Sequence, residues 1–157
     1  MSDPNTPRLY IIFPFNIESL VPGKLAAQAA HAANQFESHM YDNHMGYSNG
    51  MHNAFKEWKG QADGFGTTYV LRAESGEFVD LCVNGITSMQ SSSPMKYPFG
   101  VVTDPTYPIK DGEVTHYVPV DTCAWLFLPH NTSPLKDMIS NMAEMYFVKA
   151  LNNANLY

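Results

Sequence analysis

The chain has 157 residues, of which 45% are hydrophobic and 15% charged. That is enough for one domain with a sizeable core and too little for two ordinary ones. A formal net charge of -6 is not the electrostatic footprint of a general nucleic-acid binder, though it leaves room for a small local basic site. Two cysteines, Cys82 and Cys123, make no disulfide framework, so a reducing cytosol is the simplest home. The opening "MSDPNTPR" is polar and carries no signal-peptide pattern, and "LYIIFPF" is far shorter than the roughly 20 residues a membrane span needs.

Residues 1 to 7 read as a loose tail, and "RLYIIFPF" reads as a buried strand rich in β-branched and aromatic residues. Pro22 and Gly23 suit a helix entry, and the helix is predicted to run to about residue 41. "DNHMGYSNGMHN" is a polar break, "AFKEWKG" a short helix or turn, and "TTYVLRA" a second strand. "SGEFVDLCVNGITSM" reads as a second helix capped by Ser75, with Glu77 in its first turn. "YPFGVVT" is a third strand ending at Asp104, followed by a turn-rich stretch in which Asp111-Gly112 is a hairpin signal. "CAWLFLP" is a fourth strand, and a last helix spans about 133 to 152, with Ser133 as its cap and Pro134 as its first residue. Strands alternating with helices predict one α/β domain with helices over a mixed sheet.

The first helix holds one basic residue at its mouth and then many alanines. At 3.6 residues per turn, Leu25, Ala29, Ala32, Ala33 and Phe36 gather on one side. Lys24, Gln28, His31 and Gln35 gather roughly on the other. The alanines let the helix lie close to a sheet. A lysine in the first turn works against the helix dipole by a few tenths of a kcal/mol, yet the same arrangement suits a phosphate or a developing oxyanion. The plain alternatives are an exposed helix-end lysine and a hydrogen-bonded structural histidine.

"GKLAAQAAHAA", residues 23 to 33, closely resembles the helix motif of the peptidyl-tRNA hydrolase 2 family. The resemblance continues in order through "WKGQ" (58 to 61), "TTYVLRA", "VVTD" ending at Asp104, "THYVP" (115 to 119) and "CAWLFLP" (123 to 129). It covers residues 9 to about 130. It implies a compact three-layer α/β fold, a mixed sheet of about four strands with α-helices on both faces, often homodimeric, that cleaves the ester between a peptide and the terminal ribose of tRNA without a metal or other cofactor. Carried over by position, Lys24, Asp104 and Thr115 are the implied catalytic residues. Gly23, Gln28, His31, Thr122 and Cys123 are the implied supporting or substrate-binding ones. The departures are specific. "PTYPIKDGEV" separates Asp104 from Thr115, residues 38 to 55 look like a second insertion, and the family arginine falls at Val114. The family threonine of the last strand falls at Cys123, with Thr122 one place away, and the small residue before the histidine is Ala30.

Ester hydrolysis needs an activated water and a stabilised oxyanion. Asp104, at a strand end where open α/β sheets hold ligands, is the expected base or water-orienting group. Its plain alternative is a turn opener before Pro105. Lys24 and the helix amides would stabilise the oxyanion or hold the terminal phosphate, and Thr115 would bond the water or the ester. Cys82 and Cys123 read as core thiols. His39, Asp42, His44 and His52 are of ligand type, but their spacing is not a zinc signature, and solvated loop histidines are the commoner case. Their segment could instead form a lid. Aromatics in "YPFG", "TYPI" and "HYVP" could stack on unpaired bases. The methionine-bearing face of the last helix reads as core before partner surface. Three functions compete: a peptidyl-tRNA hydrolase, a binding module on the same fold for a nucleic-acid end or anionic ligand, and a partner-binding protein.

Overall fold

The computed structural model describes residues 6–14, 19–72, 97–129 and 155–156. Strand β1 (Arg8–Phe13) is followed by helix α1 (Pro22–Asp42), a 3-10 turn (His44–Gly46) and helix α2 (Asn49–Gly60). A second 3-10 turn (Ala62–Gly64) then leads to β2 (Thr68–Arg72), β3 (Phe99–Asp111), β4 (Val114–Leu128) and a two-residue β5 (Asn155–Leu156). The sheet is mixed, in the order β3-β4-β1-β2-β5. β1 runs parallel to β2 and antiparallel to β4, and β3 and β4 form a long antiparallel hairpin. This is the α/β domain expected. The helices proposed from Ser75 and across 133 to 152, with Cys82 and the methionine-bearing face, lie outside the described residues. No helix among the described residues is long and apolar enough to cross a membrane.

β1 and the Cys123–Leu128 part of β4 are buried on both faces, which explains their unbroken apolar runs. On one face α1 lays Ala32, Phe36 and Met40 over Trp125 and Phe127, and α2 closes the layer with Met51, Phe55 and Trp58. Phe36 is the hub. Its ring lies 4.9 Å from Phe127, 5.1 Å from Trp58, 5.4 Å from Trp125 and 5.5 Å from Phe55, centroid to centroid. Such offset and edge-on pairs add to the burial of the rings themselves.

Four sequence expectations change here. The polar break hides the start of α2, because Ser48 caps the helix by accepting from the Met51 amide. The 38 to 55 segment therefore supplies core residues Met40, Tyr47, Met51, Ala54 and Phe55. The third strand does not end at Asp104 but continues to Asp111, and the fourth begins at Val114 rather than Cys123. Pro105 and Pro108 suggested turns, yet β3 is an edge strand, where a missing amide is tolerated. Gly112, at φ 60°, makes the tight turn that Asp111-Gly112 signals.

"WKGQ" also gains a structural explanation. The Trp58 indole donates to the Thr67 carbonyl at 2.9 Å, and Gln61 Oε1 accepts from the Thr67 amide at 3.1 Å. A Cβ on Gly66 (φ 74°) would stand 2.1 Å from the Trp58 ring, so only glycine passes there. The stretch steers the chain from α2 into β2.

Candidate functional site

The N-terminal half of α1 packs on the β3–β4 hairpin, and its polar residues make directional contacts there. Gln28 is the centre. Helical spacing grouped it with Lys24, His31 and Gln35 on the polar side, but it is buried at 3% exposure, on the same line as Ala32, Phe36 and Met40. Its Nε2 donates to Asp104 Oδ2 at 2.7 Å, and its Oε1 accepts from the Thr122 hydroxyl at 2.7 Å. An ionised carboxylate only accepts and a hydroxyl can donate, so the two partners fix which way the amide faces.

Two bulges bring those partners together. Val102 pairs with Cys123 but Thr103 pairs with Asp121, which leaves Thr122 as the extra residue on β4. Thr122 and Cys123 therefore both reach α1, with Cys123 Sγ donating to the Gln28 carbonyl at 3.7 Å. The second irregularity, between Asp104 and Tyr107, follows from Pro105, which cannot donate to the ladder. The Thr106 amide turns back to Asp104 Oδ1 at 2.9 Å instead. "DPT" is thus an Asx turn embedded in a strand.

Those contacts set the charge of Asp104. The Thr106 amide holds its carboxyl below the usual range, partial burial opposes the shift, and the Gln28 amide and His31 add to it. Burial pushes the Cys123 thiol up to about 12, so it remains a protonated core group rather than a nucleophile.

Lys24 stands one turn before Gln28. Its ammonium donates to the Pro108 carbonyl at 2.9 Å and lies 4.8 Å from the centre of the Tyr107 ring. Tyr107 is buried, and its hydroxyl pairs with Ser19 at 3.0 Å. Lys24 and Asp104 have separate partners, the Pro108 carbonyl and the Gln28 amide, and share a neighbourhood without an ion pair between them. Gly23 is exposed at the helix entry, where no side chain caps the amides and a Cβ would meet open space. His31 is exposed beside the cluster.

Thr115 is not brought in. It pairs with Lys110 near the hairpin tip, six positions past Asp104 on β3, or roughly 20 Å at about 3.3 Å per residue. Thr122 takes its place as the hydroxyl of the cluster. Thr106, Ser19 and the Pro108 carbonyl also belong to the site and were not singled out from the sequence, whereas the aromatic of "TYPI", Tyr107, was expected as a stacking surface and is instead buried beneath Lys24. Of these, Thr106 had a signal, since Asp-Pro-Thr is an Asx-turn pattern. The histidine-rich segment gathers no group of three metal-ligating side chains among the described residues. His39 meets the Tyr47 hydroxyl at 2.6 Å, and burial lowers its pKa.

Compared with known proteins, the chain matches no family model and no curated protein.

Proposed function

We propose that this chain is a peptidyl-tRNA hydrolase-like enzyme that cleaves the ester between a peptide and the terminal ribose of tRNA. The observation that carries the reading is the Gln28 bridge, in which the central glutamine of "GKLAAQAAH" holds Asp104 and Thr122, two residues far away in sequence. In this reading Asp104 orients a water and takes its proton as the oxygen bonds to the ester carbonyl carbon. The carbon–ribose oxygen bond then breaks, and the proton passes to the leaving ribose oxygen. Lys24, released from the Pro108 carbonyl by substrate, stabilises the oxyanion or holds the terminal phosphate. Gln28 and Thr122 position the base. No cofactor or metal is invoked, and a cytoplasmic setting and a homodimer belong to the same proposal.

A second reading is favoured by the resting state of the two charged residues. Lys24 is already bonded to Pro108 and seated on Tyr107, and the Asp104 carboxyl is held in its ionised form, which weakens it as a base. That state suits a binding module for a nucleic-acid end or an anionic ligand. Single-turnover hydrolysis of a labelled peptidyl-tRNA separates the two. The enzyme reading predicts cleavage by wild type and a loss of about 100-fold or more in Asp104→Asn and Lys24→Ala. The binding reading predicts no cleavage, with tRNA binding that survives Asp104→Asn and is lost in Lys24→Ala.

A further inference from the structure

Some distance along α1 from the Asp104 cluster, a separate cavity of about 800 Å³ opens between the end of α1, the first 3-10 turn and α2. Tyr41 is thirteen residues beyond Gln28, roughly 20 Å along the helix axis. Asn49, His52, Asn53 and Lys56 line the cavity from one face of α2, at i, i+3, i+4 and i+7, and Tyr41 and His44 line it from the other side. The opposite face of α2 holds Met51, Ala54, Phe55 and Trp58 in the core, so the polar face is fixed in space.

The lining has an unusual charge for this protein. The chain carries fifteen acidic against nine basic residues, yet no carboxylate lines this cavity, while two lysines and two histidines do. Lys59 is already paired with Glu37 at 2.7 Å, which leaves Lys56 to present an exposed ammonium. His52 bonds through Nε2 to the His44 carbonyl, which ties the turn to the helix. Tyr41 is 63% exposed, and its ring stands edge-on to Phe55 with centroids 5.8 Å apart, so its orientation is held from the core side. An open, oriented aromatic face, two amide side chains with donors and acceptors, and a cation in the lining of the same cavity match the parts of a nucleotide.

The geometry points to a nucleotide-binding site in this cavity, with the base stacked on Tyr41, base or sugar edges read by Asn49 and Asn53, and phosphate held by Lys56. The ligand is a free nucleotide or the end nucleotide of a single strand. The site stands whether or not the Asp104 cluster hydrolyses an ester.

The test uses the full chain and fluorescein-labelled pentaadenylate RNA, read by anisotropy, with unlabelled AMP and inorganic phosphate as competitors. The expected result is saturable binding that AMP displaces better than phosphate does. Tyr41→Ala should weaken it about tenfold or more, and Tyr41→Phe should retain it. Lys56→Gln should weaken it and reduce the salt slope by about 0.7. Both positions are exposed, so the variants should fold as wild type does. AMP as tight as pentaadenylate assigns the site to free nucleotides, and a clear preference for pentaadenylate assigns it to strand ends. Absence of saturable binding by either probe overturns the proposal. So does displacement by phosphate equal to that by AMP, or binding unchanged in Tyr41→Ala and Lys56→Gln.

Discussion

The two ends of α1 are held in different ways. The C-terminal half is fixed by aromatic packing, with Phe36 among Trp58, Trp125, Phe127 and Phe55. The N-terminal half is fixed by single directional bonds, Lys24 to the Pro108 carbonyl, and Gln28 to both Asp104 and Thr122. Gln35 joins the two modes, accepting from the Trp125 indole at 2.7 Å. Packing tolerates no missing volume but has no preferred chemistry. Polar bonds stabilise less yet dictate which atoms face each other. A helix held both ways can carry a chemically specified site at one end because the other end keeps it in place.

Substitutions can break that comparison, and the largest effect belongs to the packed end. Phe36→Ala should cost about 3–5 kcal/mol in urea unfolding, because it empties the hub of the aromatic cluster. Gly100→Ala should cost about 1–3 kcal/mol by overpacking, since a Cβ there would stand 2.7 Å from the Trp125 ring. Gln28→Met keeps the length but strips both bonds. It should cost a similar about 1–3 kcal/mol, because Thr122 is left buried without its best partner.

Acid provides a smaller test of the polar end. The folded carboxyl of Asp104 titrates below its ordinary value, so its contribution is present above the unfolded pKa, near 3.8, and is lost as pH falls through the lower folded value. Asp104→Asn should flatten that acid limb of a stability-against-pH curve and leave the limb above pH 5 unchanged in slope. Thr115→Ala should do least, within about 0.5 kcal/mol and with no effect on hydrolysis, because the residue is exposed near the hairpin tip.

What could be read from the sequence divides along the same line. The packed half was legible: β1, the α1 boundaries and the buried fourth strand follow from composition, since Pro22 opens the helix and apolar runs mark central strands. The polar half was legible only in part. Lys24, Gln28 and Asp104 were found through the order of motifs, but helical period alone assigned Gln28 to the wrong face. A polar residue can be buried when the opposite strands supply its partners, and nothing in the local sequence around Gln28 shows that Asp104 and Thr122 do so. Thr122 displaced Thr115 because a bulge turns it inward, and bulges leave little trace in a sequence. Pro105 and Pro108 pointed to turns because their tolerance depends on β3 being at the sheet edge, a property of topology alone.

The hydrolase reading rests on Gln28 joining the helix motif to Asp104, and a double-mutant cycle measures that join directly. Gln28→Met, Asp104→Asn and the pair would be unfolded in urea beside wild type at pH 7. A bridged pair predicts non-additive losses, with a coupling energy of about 0.5–3 kcal/mol. Additive losses, within about 0.3 kcal/mol, would contradict the bridge and remove the ground for placing Asp104 and the helix motif in one site.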